Sequence, residues 1–247
     1  MKTIKGIWRF SRVICYTFVC LFQAYTRFKH VDRKEKGRML RYYPTQVLKL
    51  AGVRCSYEGH VPELLHECGL TDTPPACLVL SNHVSWLDIF SLDSQLPSRF
   101  IAKAEIAKWP IFGLIAQQIG TLFINRSSKR AILRINDDIR GALCNCEAVT
   151  IFAEGTTTFG NELLLIKANF IAPACEIGAT VQPVILSYKN KGKPTKQAAF
   201  SGDVTLFGSL WNVVTMEDAE GLFTFWNRLP TQKISRATKS QRFVRNV

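Results

Sequence analysis

The sequence contains no Cys-x-x-Cys pair, no Gly-x-Ser-x-Gly, no internal repeat, no low-complexity linker and no apolar run of spanning length. Each absence removes a class of protein. The eight cysteines sit mostly inside apolar stretches such as Ala76-Cys77-Leu78, and Cys144-x-Cys146 has no matching His or Cys pair nearby. No metal site is therefore expected. A chain of 247 residues can bury its own core without a disulfide scaffold, so the thiols read as buried or inert in a reducing compartment. The missing Gly-x-Ser-x-Gly elbow counts against a serine hydrolase, although Ser85 lies close to His83. His30, His60 and His66 have no convincing partners in the sequence and read as surface or structural.

Acidic residues are scarce where basic ones gather. Residues 1–54 hold 13 Lys/Arg against Asp32 and Glu35, a balance of +11, and residues 228–247 add six basic residues and no acid. Residues 55–227 carry 13 basic and 17 acidic residues, a balance of −4. A nucleic-acid enzyme would carry its positive charge around a central groove with aromatics interleaved, so no nucleic-acid partner is expected. The basic N-terminal cluster flanks an apolar run from Val13 to Tyr25, with Trp8, Tyr16 and Tyr25 as amphipathic rings. A spanning helix needs about 20 apolar residues, and this run is short by roughly two turns. A secretory leader fits in outline, but no Ala-x-Ala-like cleavage site follows. The pattern predicts an interfacial or partly inserted helix, a second helix from about Glu35 to Ala51, and attraction to an anionic bilayer surface. A single span from Ile4 to Tyr25 with snorkelling arginines is the alternative. The expected division is a membrane-associating helical segment over 1–52 and an α/β domain over 53–247.

From Val53 the texture changes. Val53–Gly59, Ala76–Ser81, Arg99–Ala102, Thr121–Ile124, Ala148–Ala153 and a strand beginning at Thr180 read as strands. Ile89–Gln95, Pro110–Ile119, Lys129–Cys144 and Ala168–Ile177 read as helices, and in the third Ile132, Ile135, Ile139 and Leu143 share one face. Ser187–Phe207 reads as a hairpin or loop with later strands. Strands alternating with helices predict a mixed, mostly parallel sheet flanked by helices, preceded by the N-terminal helical pair.

Three segments could carry chemistry. Ser81-Asn82-His83-Val84-Ser85-Trp86-Leu87-Asp88 follows a buried strand, where α/β folds place reactive groups. His83 and Asp88 are about 140° apart on a helix, but they can meet if His83 lies in the turn and Asp88 in the first helical turn. The carboxylate would then fix the imidazole tautomer and make the other nitrogen a better base. On spacing alone, the alternative is a histidine that caps the helix or packs on Trp86. Phe152-Ala153-Glu154-Gly155-Thr156-Thr157-Thr158 ends a strand in an acid, a glycine and three hydroxyls, a turn that can face a polar headgroup. Gly120–Arg126 delivers an arginine at a strand end, suited to phosphate, and Lys103 and Lys167 are further cations.

In this order the segments resemble the glycerolipid acyltransferase superfamily, whose best-known branch is the 1-acylglycerol-3-phosphate acyltransferase family. Asn82-His83-x4-Asp88 is similar to its first block; Lys103-Ala-Glu105 and Trp109–Gly113, running on to Arg126, to its second. Phe152–Thr156 resembles the third block and Val181-Gln-Pro183-Val184 the fourth. The third block of that family usually reads Phe-Pro-Glu-Gly-Thr-Arg. Here Ala153 replaces the proline and Thr157 stands where the arginine is expected, a form similar to a bacterial subgroup that includes lyso-ornithine-lipid enzymes. The resemblance implies direct acyl transfer from acyl-CoA or acyl carrier protein to a lysophospholipid hydroxyl, most directly 1-acylglycerol-3-phosphate. It implies His83 as general base and Asp88 as its support. Glu154, Gly155 and Thr156 would shape the acceptor site, and Arg126, Lys167 and Lys103 would face the headgroup. No cofactor is implied beyond the thioester, and the implied location is the cytoplasmic face of a bacterial inner membrane. A non-catalytic lipid-binding protein would keep the basic termini and need neither His83 nor Asp88.

Overall fold

The computed structural model describes residues 2–59, 77–125, 129–152, 154–160, 164, 168–227 and 229–230. Helix α1 runs over Lys2–Thr26 and α2 over Arg33–Ala51. The Asp32 carboxylate accepts the Glu35 amide at 2.8 Å to start α2, and Gly52 ends it in a left-handed conformation. The strands are β1 (Val53–Gly59), β2 (Cys77–Ser81), β3 (Arg99–Lys103), β4 (Leu122–Ile124), β5 (Ala148–Phe152), β6 (Thr180–Asn190), β7 (Lys193–Pro194), β8 (Ala219–Phe225) and β9 (Leu229–Pro230). Between them lie α3 (Leu87–Asp93), α4 (Phe112–Gln118), α5 (Lys129–Cys144), α6 (Ala172–Ile177) and α7 (Leu206–Val214).

Among the described residues the strands form one sheet in the order β1-β8-β6-β2-β5-β3-β4, with β7 and β9 beside β6. The expected mixed, mostly parallel sheet is what is found: β6–β8, β6–β7 and β6–β9 are antiparallel and the other pairs parallel. Strand β2 lies at its centre and is buried along its whole length. Its side chains alternate between faces, as the pleat requires. Leu78 and Leu80 join Ile135, Ile139 and Leu143 of α5 in one core cluster. Cys77 and Val79 join Leu92, Phe100, Phe223 and Phe225 in another. A third cluster ties Val13 of α1 and Val47, Leu48 and Ala51 of α2 to Leu210 and Val213 of α7.

Several elements differ from the sequence expectation, among them α6, which is α-helical only from Ala172, and α7, which was not expected. Helix α1 begins at Lys2, well before the apolar run. Strand β6 continues to Asn190, through the start of the stretch read as hairpin or loop. The helix expected from Pro110 starts at Phe112 instead, because Ile111 takes a left-handed φ of 64° that breaks the turn. Gly113 allows this turn: a Cβ there would lie 2.5 Å from the Ile106 carbonyl oxygen and 2.6 Å from that of Ala107. The thiols are also not uniformly buried, since Cys15 and Cys144 are exposed. Cys15 lies on the outer face of α1 and Cys144 at the end of α5. No described helix is long and apolar enough to cross a membrane.

Candidate active site

At the end of β2 the backbone leaves the sheet at Asn82. The Asn82 side chain supplies the next rung itself, accepting the Leu186 amide at 2.7 Å and donating to the Leu186 carbonyl at 2.9 Å. This frees the following residues to turn. His83 lies in that turn and Asp88 in the first turn of α3, and the two meet: His83 Nδ1 is 2.8 Å from Asp88 Oδ2. The same oxygen accepts the amides of Val84 (2.7 Å) and Ser85 (2.9 Å), and Oδ1 accepts the Tyr188 hydroxyl at 2.6 Å. All four partners donate, and Asp88 has no exposure to solvent. Burial, reinforced by the neighbouring Asp88, pushes the Tyr188 phenol well above its ordinary range, so it stays a donor. With Nδ1 committed to a carboxylate, the imidazole presents Nε2 as its basic nitrogen. The ring stacks on Phe152 at 3.8 Å with an 8° interplanar angle, and the side chain keeps 20% of its surface exposed.

Ser85, the nucleophile a hydrolase would need, is fully buried, and its hydroxyl accepts the Leu87 amide at 3.3 Å. Among the described residues no cluster of His, Cys, Asp and Glu could hold a metal ion. Burial pushes the Cys20 thiol, near His83's cavity, up to about 12, which leaves it a poor nucleophile.

Glu154 is buried, and it braces rather than faces solvent. Its Oε2 accepts the His83 amide at 3.4 Å and its Oε1 the Leu164 amide at 3.1 Å. Burial raises this carboxyl above the usual carboxylate range, against the pull of those two amides. The Thr158 amide donates to the His83 carbonyl at 2.8 Å and the Phe200 amide to the Val84 carbonyl at 2.8 Å, so the 154–160 turn and the 200 loop clamp the histidine turn from both sides. Gly155 turns the chain at a φ of 74°, a conformation that disfavours side chains. Thr157, at the arginine position of the third block, donates its hydroxyl to the Phe200 carbonyl.

A cavity of about 660 Å³ opens beside His83. Gly155, Thr156, Thr157 and Lys103 line it with the histidine, and its walls are mostly apolar: Phe28, Val47, Phe90, Phe100, Trp109 and Phe152 among them. Of the site residues expected from the sequence, the structure thus brings together His83, Asp88, Glu154, Gly155, Thr156 and Lys103, with Glu154 behind the histidine rather than in the cavity wall. Arg126 and Lys167 lie outside the described residues. Sequence reasoning missed Asn82's strand-like pairing, Phe152's stacking and, above all, Tyr188. The phenol stands 100 residues from its carboxylate, and its one visible signal is a tyrosine within a run of alternating buried positions.

The Acyltransferase family model matches residues 62–187, a span that contains His83, Asp88 and Glu154. The 1-acyl-sn-glycerol-3-phosphate acyltransferase of Neisseria gonorrhoeae is 43% identical over 145 residues, covering 58% of this chain and 56% of the relative. The lyso-ornithine lipid O-acyltransferase of Pseudomonas aeruginosa is 39% identical over 160 residues, covering 65% of this chain and 62% of the relative. The chain therefore spans little more than half the length of these curated relatives. The crystal structure of the 1-acyl-sn-glycerophosphate acyltransferase of Thermotoga maritima superposes with a TM-score of 0.64 at 16% identity, over 99% of this chain and 93% of that one, which shows a shared fold. With a family match across half its length, the chain belongs to the acyltransferase family.

Proposed function

We propose that the protein moves a fatty acyl group from an acyl thioester to the free hydroxyl of a lysophospholipid, most directly 1-acylglycerol-3-phosphate to give phosphatidic acid. The observation that carries this reading is the His83–Asp88 pair set at the wall of a large apolar cavity. A base poised on an acyl-sized apolar space fits acyl transfer better than a polar binding module. His83 Nε2 removes the proton from the acceptor hydroxyl as that oxygen attacks the thioester carbonyl. The tetrahedral adduct collapses, the C–S bond breaks, and the imidazolium returns its proton to the departing thiolate. Asp88 holds the ring and stabilises its charged form. The amides of Thr156 and Thr157, which line the cavity with His83, are assigned to the developing oxyanion. Lys103 supplies a cation at the cavity, and Arg126 and Lys167 are assigned to the headgroup from the sequence motifs. Acyl-CoA or acyl carrier protein serves as donor.

The relatives' names support a second acceptor, a non-phosphate lysolipid such as lyso-ornithine lipid. The specific observation in its favour is Thr157, whose hydroxyl is turned to the Phe200 carbonyl where the phosphate-binding arginine would stand.

Attachment to an anionic bilayer surface, at the cytoplasmic face of a bacterial inner membrane, completes the proposal. The outer face of α1 exposes Ile4, Ile7, Trp8, Phe18, Phe22 and Tyr25, and Arg12 stacks on Trp8 at 4.0 Å. In an assay of purified protein with labelled acyl-CoA against a panel of lysolipids, wild type transfers the label and His83→Ala loses at least about 10²-fold while remaining folded. Near-normal transfer by His83→Ala removes the proposed role of the base.

A further inference from the structure

Asp93 is a third buried acid, after Asp88 and Glu154, and unlike them it lines the cavity; the chemistry above does not use it. It closes α3, five residues after Asp88, which puts it roughly 7.5 Å further along the helix axis. It is 2% exposed and lines the cavity. Among the described residues its one hydrogen bond is from the Ser98 amide to Oδ1, at 3.0 Å. Its surroundings are apolar. Phe90 and Ile89 of α3 share the cavity wall with Phe100, and Phe100 stacks at 5.9 Å on the Phe152 ring that in turn carries His83. Burial pushes the Asp93 carboxyl well above the usual carboxylate range, the Ser98 amide opposing only in part. The geometry leaves a carboxyl oxygen, free to pair with a ligand hydroxyl, beside the apolar Ile89, Phe90 and Phe100 part of the wall. An apolar cavity for a plain alkyl chain gains nothing from such a group, and leaving it unmatched against methylenes is unfavourable.

We propose that Asp93 is a specificity determinant that selects a hydroxylated alkyl chain, its carboxyl hydrogen-bonding a hydroxyl carried on the chain some methylenes away from the reacting carbonyl. This rests on the acyltransferase reading of the same cavity. The hydroxylated chain could arrive on the acyl donor or already sit on the lysolipid acceptor.

The test uses the full-length purified protein and kcat/KM for matched chains. One arm compares an unsubstituted long-chain acyl-CoA with its hydroxylated analogue on a plain lysophosphatidate; the other compares plain and hydroxylated lysophosphatidate with a plain acyl-CoA. Wild type favours the hydroxylated chain by about ten-fold or more in one arm, and that arm identifies the source. Asp93→Leu loses the preference while still transferring plain chains, and Asp93→Asn, which keeps the shape and both a donor and an acceptor, retains it. Equal rates for plain and hydroxylated chains in both arms of wild type overturn the role of Asp93 while leaving the acyltransferase reading standing, as does a preference that survives in Asp93→Leu. No transfer of any chain by wild type overturns both.

Discussion

Asp88 accepts four hydrogen bonds while fully buried, and this makes it unforgiving of substitution. Asp88→Asn keeps the volume but presents an N–H₂ to at least one of the Val84, Ser85, Tyr188 and His83 donors. A buried donor left without an acceptor costs about 1–3 kcal/mol. The expected outcome is a drop of that size in chemical denaturation, together with a loss of acyl transfer of roughly 10²–10⁴-fold. Asp93 behaves oppositely. Its folded-state affinity for a proton exceeds that of the unfolded chain, so its contribution to stability is intact below the ordinary carboxylate range, about pH 4. That contribution declines as pH rises toward the folded value. Asp93→Asn removes the titration, and the thermal midpoint of the variant should gain on wild type progressively from pH 4 to 8; parallel curves would show that Asp93 is not held neutral. The His83–Asp88 pair was legible in the sequence because five residues and one turn suffice to place it. Tyr188 and Phe152 were not, since their positions depend on strand register across the sheet.

At the scale of elements, α1 shows most clearly what pattern can and cannot tell. The apolar run and its basic flanks marked a helix, but not its first three turns, where Lys and Arg interrupt the hydrophobicity. Tertiary contacts complete them. Arg9 donates to the carbonyls of Val214 (3.2 Å) and Met216 (2.9 Å) at the end of α7, and Gly6 passes so close that a Cβ would meet the Thr215 methyl at 2.8 Å. Helix α5, by contrast, was readable to its ends because a single buried face repeats through it without interruption. The two faces of α1 predict separable effects. Ile7, Phe18 and Phe22 are exposed, so replacing all three by serine should leave the thermal midpoint unchanged and lower co-sedimentation with anionic vesicles by about ten-fold or more. Undiminished sedimentation would remove α1 as the contact surface.

For the molecule as a whole, the charge is unevenly shared between the ends and the centre of the chain, +11 over residues 1–54 against −4 over 55–227. Attraction of this kind is screened within about 10 Å at 0.1 M salt. Binding to vesicles rich in anionic lipid should therefore fall steeply between low and high ionic strength, while binding to neutral vesicles should be weak and indifferent to salt; salt-independent binding to both would leave the apolar face alone responsible. The α/β class was readable from alternating strands and helices, but the strand order was not. β1 finds β8 more than 150 residues away, and no local pattern reports such a partner. The packing of α1 has one more consequence. Thr17, Cys20, Gln23 and Ala24 on its inner side line the cavity, while Phe18, Phe22 and Tyr25 on its outer side face away from the protein. On the proposed reading, the partition between the acyl cavity and the bilayer is a single helix about 10 Å thick. Cutting α1 away would not release a water-soluble catalyst; it would take the roof off the chamber.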